Sequence, residues 1–190
     1  MRTLEHRRHS RRDPAGIHLN AAGIALARRV ARDLPAFSRV LTSPKPRAVE
    51  TAEAMGLSVD GRLPALGEMP DDVGPAVEEM GPTGFASYVE FVERSEAMRA
   101  YAEGQADAWR RELERVPEGG AMLLISHGGI IEFGAAAAVP GLARGWGPPL
   151  GYLEGIRLDW DGARWTGGEI VRVGPARAPA ARGGARAGAP

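Results

Sequence analysis

The chain contains no cysteine, which removes disulfides, thiolate nucleophiles and Cys-ligated metals without identifying a compartment. It has no excess of charge either. Its 24 Lys and Arg balance its 24 Asp and Glu, so nothing global directs it to nucleic acid or to an anionic membrane surface. No apolar run approaches the roughly 20 residues that a membrane span requires, and the Arg-rich start lacks an apolar signal core. The expectation is a single cytoplasmic domain with a sizeable core over residues 1–174. The final stretch, 175–190, holds only Ala, Arg, Gly and Pro and is expected to be disordered.

What the chain does have is unevenly placed. Arginine dominates the first fifty residues and acids cluster between Glu68 and Glu118. Such asymmetry can create a local anion-attracting field in a neutral protein. Three segments stand out: Arg8-His9-Ser10-Arg11-Arg12-Asp13-Pro14, the run from Thr42-Ser43-Pro44 through Arg47 to Ala52, and Ser126-His127-Gly128-Gly129.

The periodicities place these segments. A strand precedes His9, though Thr3-Leu4-Glu5-His6-Arg7 is poor strand material. Asn20 caps a helix running to about Leu34, Arg39–Thr42 reads as a strand, and Pro46 opens a helix that ends at Gly56. Residues 57–82 read as a long loop. The strongest helix is Ser95 to Val116, its stripe from Met98 to Val116 being core. Ala121–Ile125 is an unbroken apolar run, as in a central buried strand. A helix from about Ile130 to Val139 follows, then two strands, 153–160 and 164–173, joined by a turn at Asp161-Gly162. Alternating strands and helices predict a three-layer α/β/α sandwich with a mostly parallel sheet. Ligands in such folds bind beyond the carboxyl ends of the strands, where His9, Arg47 and His127 all fall.

Two histidines and three arginines at one sheet edge make a pocket for a phosphate dianion. With no thiol available the nucleophile would have to be something else, and a histidine qualifies. His9 would attack phosphorus while neutral, its other ring nitrogen held by a backbone acceptor. Arg8, Arg12 and Arg47 would bind the equatorial oxygens through their planar forks, and His127 would add a donor. Taken singly each residue has a plainer reading: His9 as a surface residue in a basic stretch, His-Gly-Gly as a tight turn, Arg47 as a solvated helix start. His6 and His18 read as structural or exposed, and Trp146, Trp160 and Trp165 as packing.

These segments resemble, in the right order, the histidine phosphatase superfamily of phosphoglycerate-mutase-like and acid-phosphatase-like enzymes. The first is similar to the family's Arg-His-Gly opening, with Ser10 in place of glycine. His18 to Ala27 is similar to its Leu-Thr-x-x-Gly helix start, and the other two segments to its Ser-Ser-Pro-x-x-Arg-Ala-x-x-Thr-Ala and second-histidine motifs. The resemblance implies a metal-free, cofactor-free phosphomonoesterase acting on a small phosphorylated metabolite through a phosphohistidine on His9. Arg8, Arg12, Arg47 and His127 would form the phosphate pocket. For the general acid it points to Glu68, with Asp71 and Asp72 as rivals, because Gly128 stands where the acid-phosphatase branch has its aspartate. Ser10 would either crowd the pocket or add a hydrogen bond. Protein phosphohistidine hydrolysis and a non-catalytic phospho-ligand module are the alternatives, and mutase action is disfavoured by the short chain.

Overall fold

The computed structural model describes residues 1–174 apart from 72, 76 and 78–82. The expected disordered tail and the candidate acid Asp72 lie outside the described residues. Strands β1 (Arg2–Arg8), β2 (Arg39–Thr42), β3 (Gly61–Arg62) and β4 (Ala121–Ser126) run parallel. An antiparallel pair, β5 (Gly155–Trp160) and β6 (Trp165–Val171), continues the sheet beside β1. The order is β3-β2-β4-β1-β5-β6.

Helices α1 (Ala21–Ala31) and α2 (Pro46–Ala54) cover one face, where Ala27, Ala48 and Ala52 meet Val40, Leu123 and Ile125. Helices α3 (Phe85–Arg94), α4 (Glu96–Leu113) and α5 (Ile130–Ala138) cover the other, packing on Leu4, Leu41, Met122 and Leu124. A short α6 (Pro140–Ala143) follows. The three-layer sandwich predicted from the sequence is therefore the observed fold. Alternation along β4 explains both faces: Leu123 and Ile125 point one way, Met122 and Leu124 the other, and all four are fully buried.

The poor strand is the central one. β1 sits between β4 and β5, so its polar side chains are buried and must be satisfied. Glu5 accepts from Arg7 (2.5 Å) and Arg157 (2.8 Å), and His6 Nε2 shares a 2.6 Å hydrogen bond with Ser126 Oγ. The long loop also holds more order than expected. Asp60, whose carboxylate accepts from Val40 N at 2.7 Å, leads into the two-residue β3, and a 3₁₀ turn spans Pro64–Leu66. Sequence reasoning missed α3, although Phe85, Tyr88, Val89 and Val92 bury one helical face. The other helices end close to expectation, with Asn20 and Ser95 capping α1 and α4 by accepting from Gly23 N and Met98 N. The β5–β6 connection is longer than a two-residue turn, Asp161 Oδ1 accepting from both Ala163 N and Arg164 N.

Candidate active site

The carboxyl ends of β2, β4 and β1, adjacent in the sheet, deliver three loops to one place. His9 N donates to Ser126 O at 2.8 Å and Ser43 N to Ile125 O at 2.9 Å, fastening the loops edge to edge. His9 Nδ1 lies 2.7 Å from Ser10 O. A carbonyl only accepts, so Nδ1 carries the proton and Nε2 keeps its lone pair. That lone pair accepts from Arg47 Nε at 3.2 Å. Burial, followed by the charges of Arg47, Arg8 and Arg12, pushes the His9 pKa down to about 4. His9 is therefore neutral at ordinary pH, as a nitrogen nucleophile must be.

The His127 ring centroid stands 5.2 Å from that of His9. Ser43 Oγ, which accepts from Lys45 N at 3.2 Å, shares a 2.7 Å hydrogen bond with His127 Nε2. Nδ1 is buried with no partner. Burial, then Arg47 and His9, pushes its pKa down to about 2.

Three guanidinium groups crowd this space. Arg8 is fixed by Leu150 O at 2.6 Å and packs over the Tyr152 ring, 4.9 Å from its centroid. Arg12 reaches the carbonyls of Asp13, Pro14 and Gly16 within its own loop. Arg47 rises from the first turn of α2, its pKa lowered by burial and by the charges of Arg12 and Arg8. Among the described residues none of the three forms an ion pair, so the cluster is electrostatically incomplete without an anion. Among those residues there is also no group of three His, Asp or Glu arranged to hold a metal.

The family model described as the histidine phosphatase superfamily (branch 1) matches residues 2–171. The chain belongs to the histidine phosphatase superfamily. Solved structures agree on the fold. The phosphoserine phosphatase of Entamoeba histolytica, in complex with 3-phosphoglyceric acid, is 16% identical with a TM-score of 0.68, covering 91% of this chain and 98% of that one. The mycobacterial glucosyl-3-phosphoglycerate phosphatase is 20% identical with a TM-score of 0.61 and coverages of 90% and 98%. A phosphoglycerate mutase from Thermus thermophilus is 21% identical with a TM-score of 0.54 and coverages of 90% and 99%. No curated protein sequence matches the chain.

For a histidine phosphatase-family chain, Ser10 is the residue to explain. It does not crowd the site. Its hydroxyl donates to Gly23 O at 2.7 Å and its amide to Thr51 Oγ1 at 2.9 Å, tying the nucleophile loop to α1 and α2. Glu68 sits exposed, its carboxylate 2.5 Å from Lys45 Nζ, which holds it below the usual carboxylate range. Its neighbour Met69 packs onto the second-histidine loop: a Cβ added at Gly129 would lie 2.5 Å from Met69 Cε. Glu68 and Asp71 line one open groove with Tyr101 and Gln105. His6 is buried and His18 is exposed beside Glu50. Trp160 and Trp165 pack on each other, and Trp146 packs on Phe85.

Sequence reasoning missed Glu132, which is fully buried. It accepts from Gly129 N (2.7 Å) and Leu150 N (3.0 Å), and burial raises its pKa. Because Leu150 O in turn holds Arg8, Glu132 braces two sides of the pocket at once. A lone acid inside the apolar run Ile130-Ile131-Glu132-Phe133 was the available signal.

Proposed function

We propose that the protein hydrolyses small phosphomonoesters through a phosphohistidine on His9. One observation carries the reading: the His9 imidazole, its Nδ1 locked to Ser10 O, offers Nε2 among three arginines that have no counter-ion among the described residues. His9 Nε2 attacks phosphorus and the P–O ester bond breaks, leaving the phosphoryl group on nitrogen. Arg8, Arg12 and Arg47 bind the equatorial oxygens, and His127 Nδ1–H donates to one of them. Glu68, on the rim beside the His127 loop, gives the leaving alkoxide a proton. It then takes one from the water that attacks phosphorus and breaks the N–P bond, releasing orthophosphate. Its pairing with Lys45 keeps it mostly ionised, which suits the second half-reaction better than the first. No described helix is long and apolar enough to cross a membrane, and a small phosphorylated substrate is the partner proposed.

The test is hydrolysis of para-nitrophenyl phosphate and of an alkyl phosphate, with and without EDTA, by wild type, His9→Ala and Glu68→Gln. Turnover should survive the chelator and vanish in His9→Ala. Glu68→Gln should lower kcat/KM, which reports the first half-reaction alone, roughly 10²–10⁴-fold on the alkyl ester and much less on the nitrophenyl ester, whose leaving group needs no proton. Vanadate binding without turnover of either ester by the wild type would sink the reading in favour of a phospho-ligand binding module. An equal loss on both esters would remove Glu68 as the acid.

A further inference from the structure

Beside the arginine cluster lies an open cleft of about 730 Å³, within the size range of small-molecule sites. Ala22, Ala25 and Leu26 of α1 form its apolar wall, and Arg11 and Arg29 supply positive charge. Its single carboxylate, Glu154, is already engaged by Arg172 (2.6 Å) and by Gly151 N (2.8 Å). Arg11 forms no ion pair among the described residues. The cleft therefore presents apolar surface together with uncompensated positive charge.

Tyr152 is the side chain common to this cleft and to the phosphate pocket. It lines the cleft, its ring lies 5.8 Å from that of His9, and Arg8 Cζ is 4.9 Å from its centroid. The backbone that places it is strained. Leu153, fully buried, has φ +62°, and is held there by its N–H to Arg8 O (3.1 Å) and by Arg7 Nη1 to its own carbonyl (2.7 Å). A non-glycine residue stays in that region only where its surroundings over-determine it, and such residues concentrate at functional sites.

Building on the phosphomonoesterase reading, we infer that Tyr152 determines specificity. The leaving alcohol packs on its ring and extends into the cleft, where Arg11 and Arg29 take a second anionic group. The substrate class is a phosphomonoester of a ring-sized alcohol that carries a negative charge at its far end.

Phenyl phosphate and 4-carboxyphenyl phosphate share a leaving ring and differ by one carboxylate. Their affinities are measured by calorimetry on His9→Ala, which holds them unhydrolysed, and their hydrolysis on the wild type. The carboxylated ester should bind about three- to tenfold more tightly, as two partly exposed charge pairs allow. Adding Arg11→Gln and Arg29→Gln should return the ratio to one. Arg11 is exposed, so Arg11→Gln alone gives the same comparison should the double variant fail to fold. Tyr152→Ala should weaken both esters about three- to tenfold, with Tyr152→Phe retaining the affinity. Equal affinities in His9→Ala, or a preference that survives the arginine substitutions, overturns the inference. If the affinity ratio holds but the wild type hydrolyses neither ester, the phosphatase reading fails and the cleft stands. Hydrolysis of both esters with equal affinities gives the converse.

Discussion

Each polar side chain around His9 is itself oriented by another group. Ser10 O fixes the His9 tautomer, Ser43 fixes His127, and Leu150 O fixes Arg8. Glu132 stands one step further out, and its effect is testable. Glu132→Gln keeps the volume but sets an NH₂ group where Gly129 N and Leu150 N both donate, leaving at least one buried donor unpaired. That costs about 1–3 kcal/mol. Thermal melts should show the loss, and vanadate affinity should fall as well because Leu150 O no longer holds Arg8 in place. An unchanged vanadate affinity at reduced stability would confine Glu132 to a packing role. That His9, Arg47 and His127 come together was legible in the sequence, because His9 and His127 directly follow strands and Arg47 opens the helix after β2, each in a short motif. Glu132 shows only as a lone acid in an apolar run, while Ser43 and Tyr152 act through partners far along the chain, and neither periodicity nor spacing records such pairings.

The same division runs through the secondary structure. β2, β4 and α4 follow from apolar pattern alone, since the residues that form them are also the residues they bury. β1 does not, because its Glu5, His6 and Arg7 are paid for by Arg157, Ser126 and Leu153 O on other elements. β3 spans two residues, too short for any alternation. Helix packing offers a case where propensity and sterics disagree. Gly134 lies inside α5, where alanine would ordinarily be favoured by about 1 kcal/mol. A Cβ there would stand 2.1 Å from Trp109 Cη2, and Trp109 is fully buried. Overpacking of this kind costs about 1–3 kcal/mol, so the clash outweighs the propensity. Gly134→Ala should lower Tm by several degrees. Trp109→Phe should recover part of that loss in the double variant, and additive losses would show that α5 relieves the clash by shifting instead.

Over the whole molecule, an anion site assembled from buried histidines carries a stability cost that depends on pH. His6, His9 and His127 have pKa values pushed down to about 3, 4 and 2, in each case first by burial. Unfolded, each titrates near 6.5. Below that value the unfolded chain takes up protons that the folded chain refuses, so stability falls with pH, by at most ~1.4 kcal/mol per pH unit for each histidine. Glu132 works the other way, since its raised pKa lets the folded state take up a proton first. It is one group against three. Carboxylates with lowered pKa, such as Glu50 and Glu154, add their losses only nearer their own unfolded value of 4.5. In the window from pH 6.5 to 5 the three histidines therefore outweigh Glu132. Tm should decline steadily across it in phosphate-free buffer. A bound phosphate dianion favours protonation of His9 and His127 and leaves His6 untouched, so saturating orthophosphate should flatten the decline without abolishing it. A Tm that is level from pH 6.5 to 5 without phosphate would mean that these rings are hydrated in solution. The neutral nucleophile assigned to His9 would then have to be secured by the charges of the three arginines alone, against the Ser10 hydrogen bond, which favours the protonated ring.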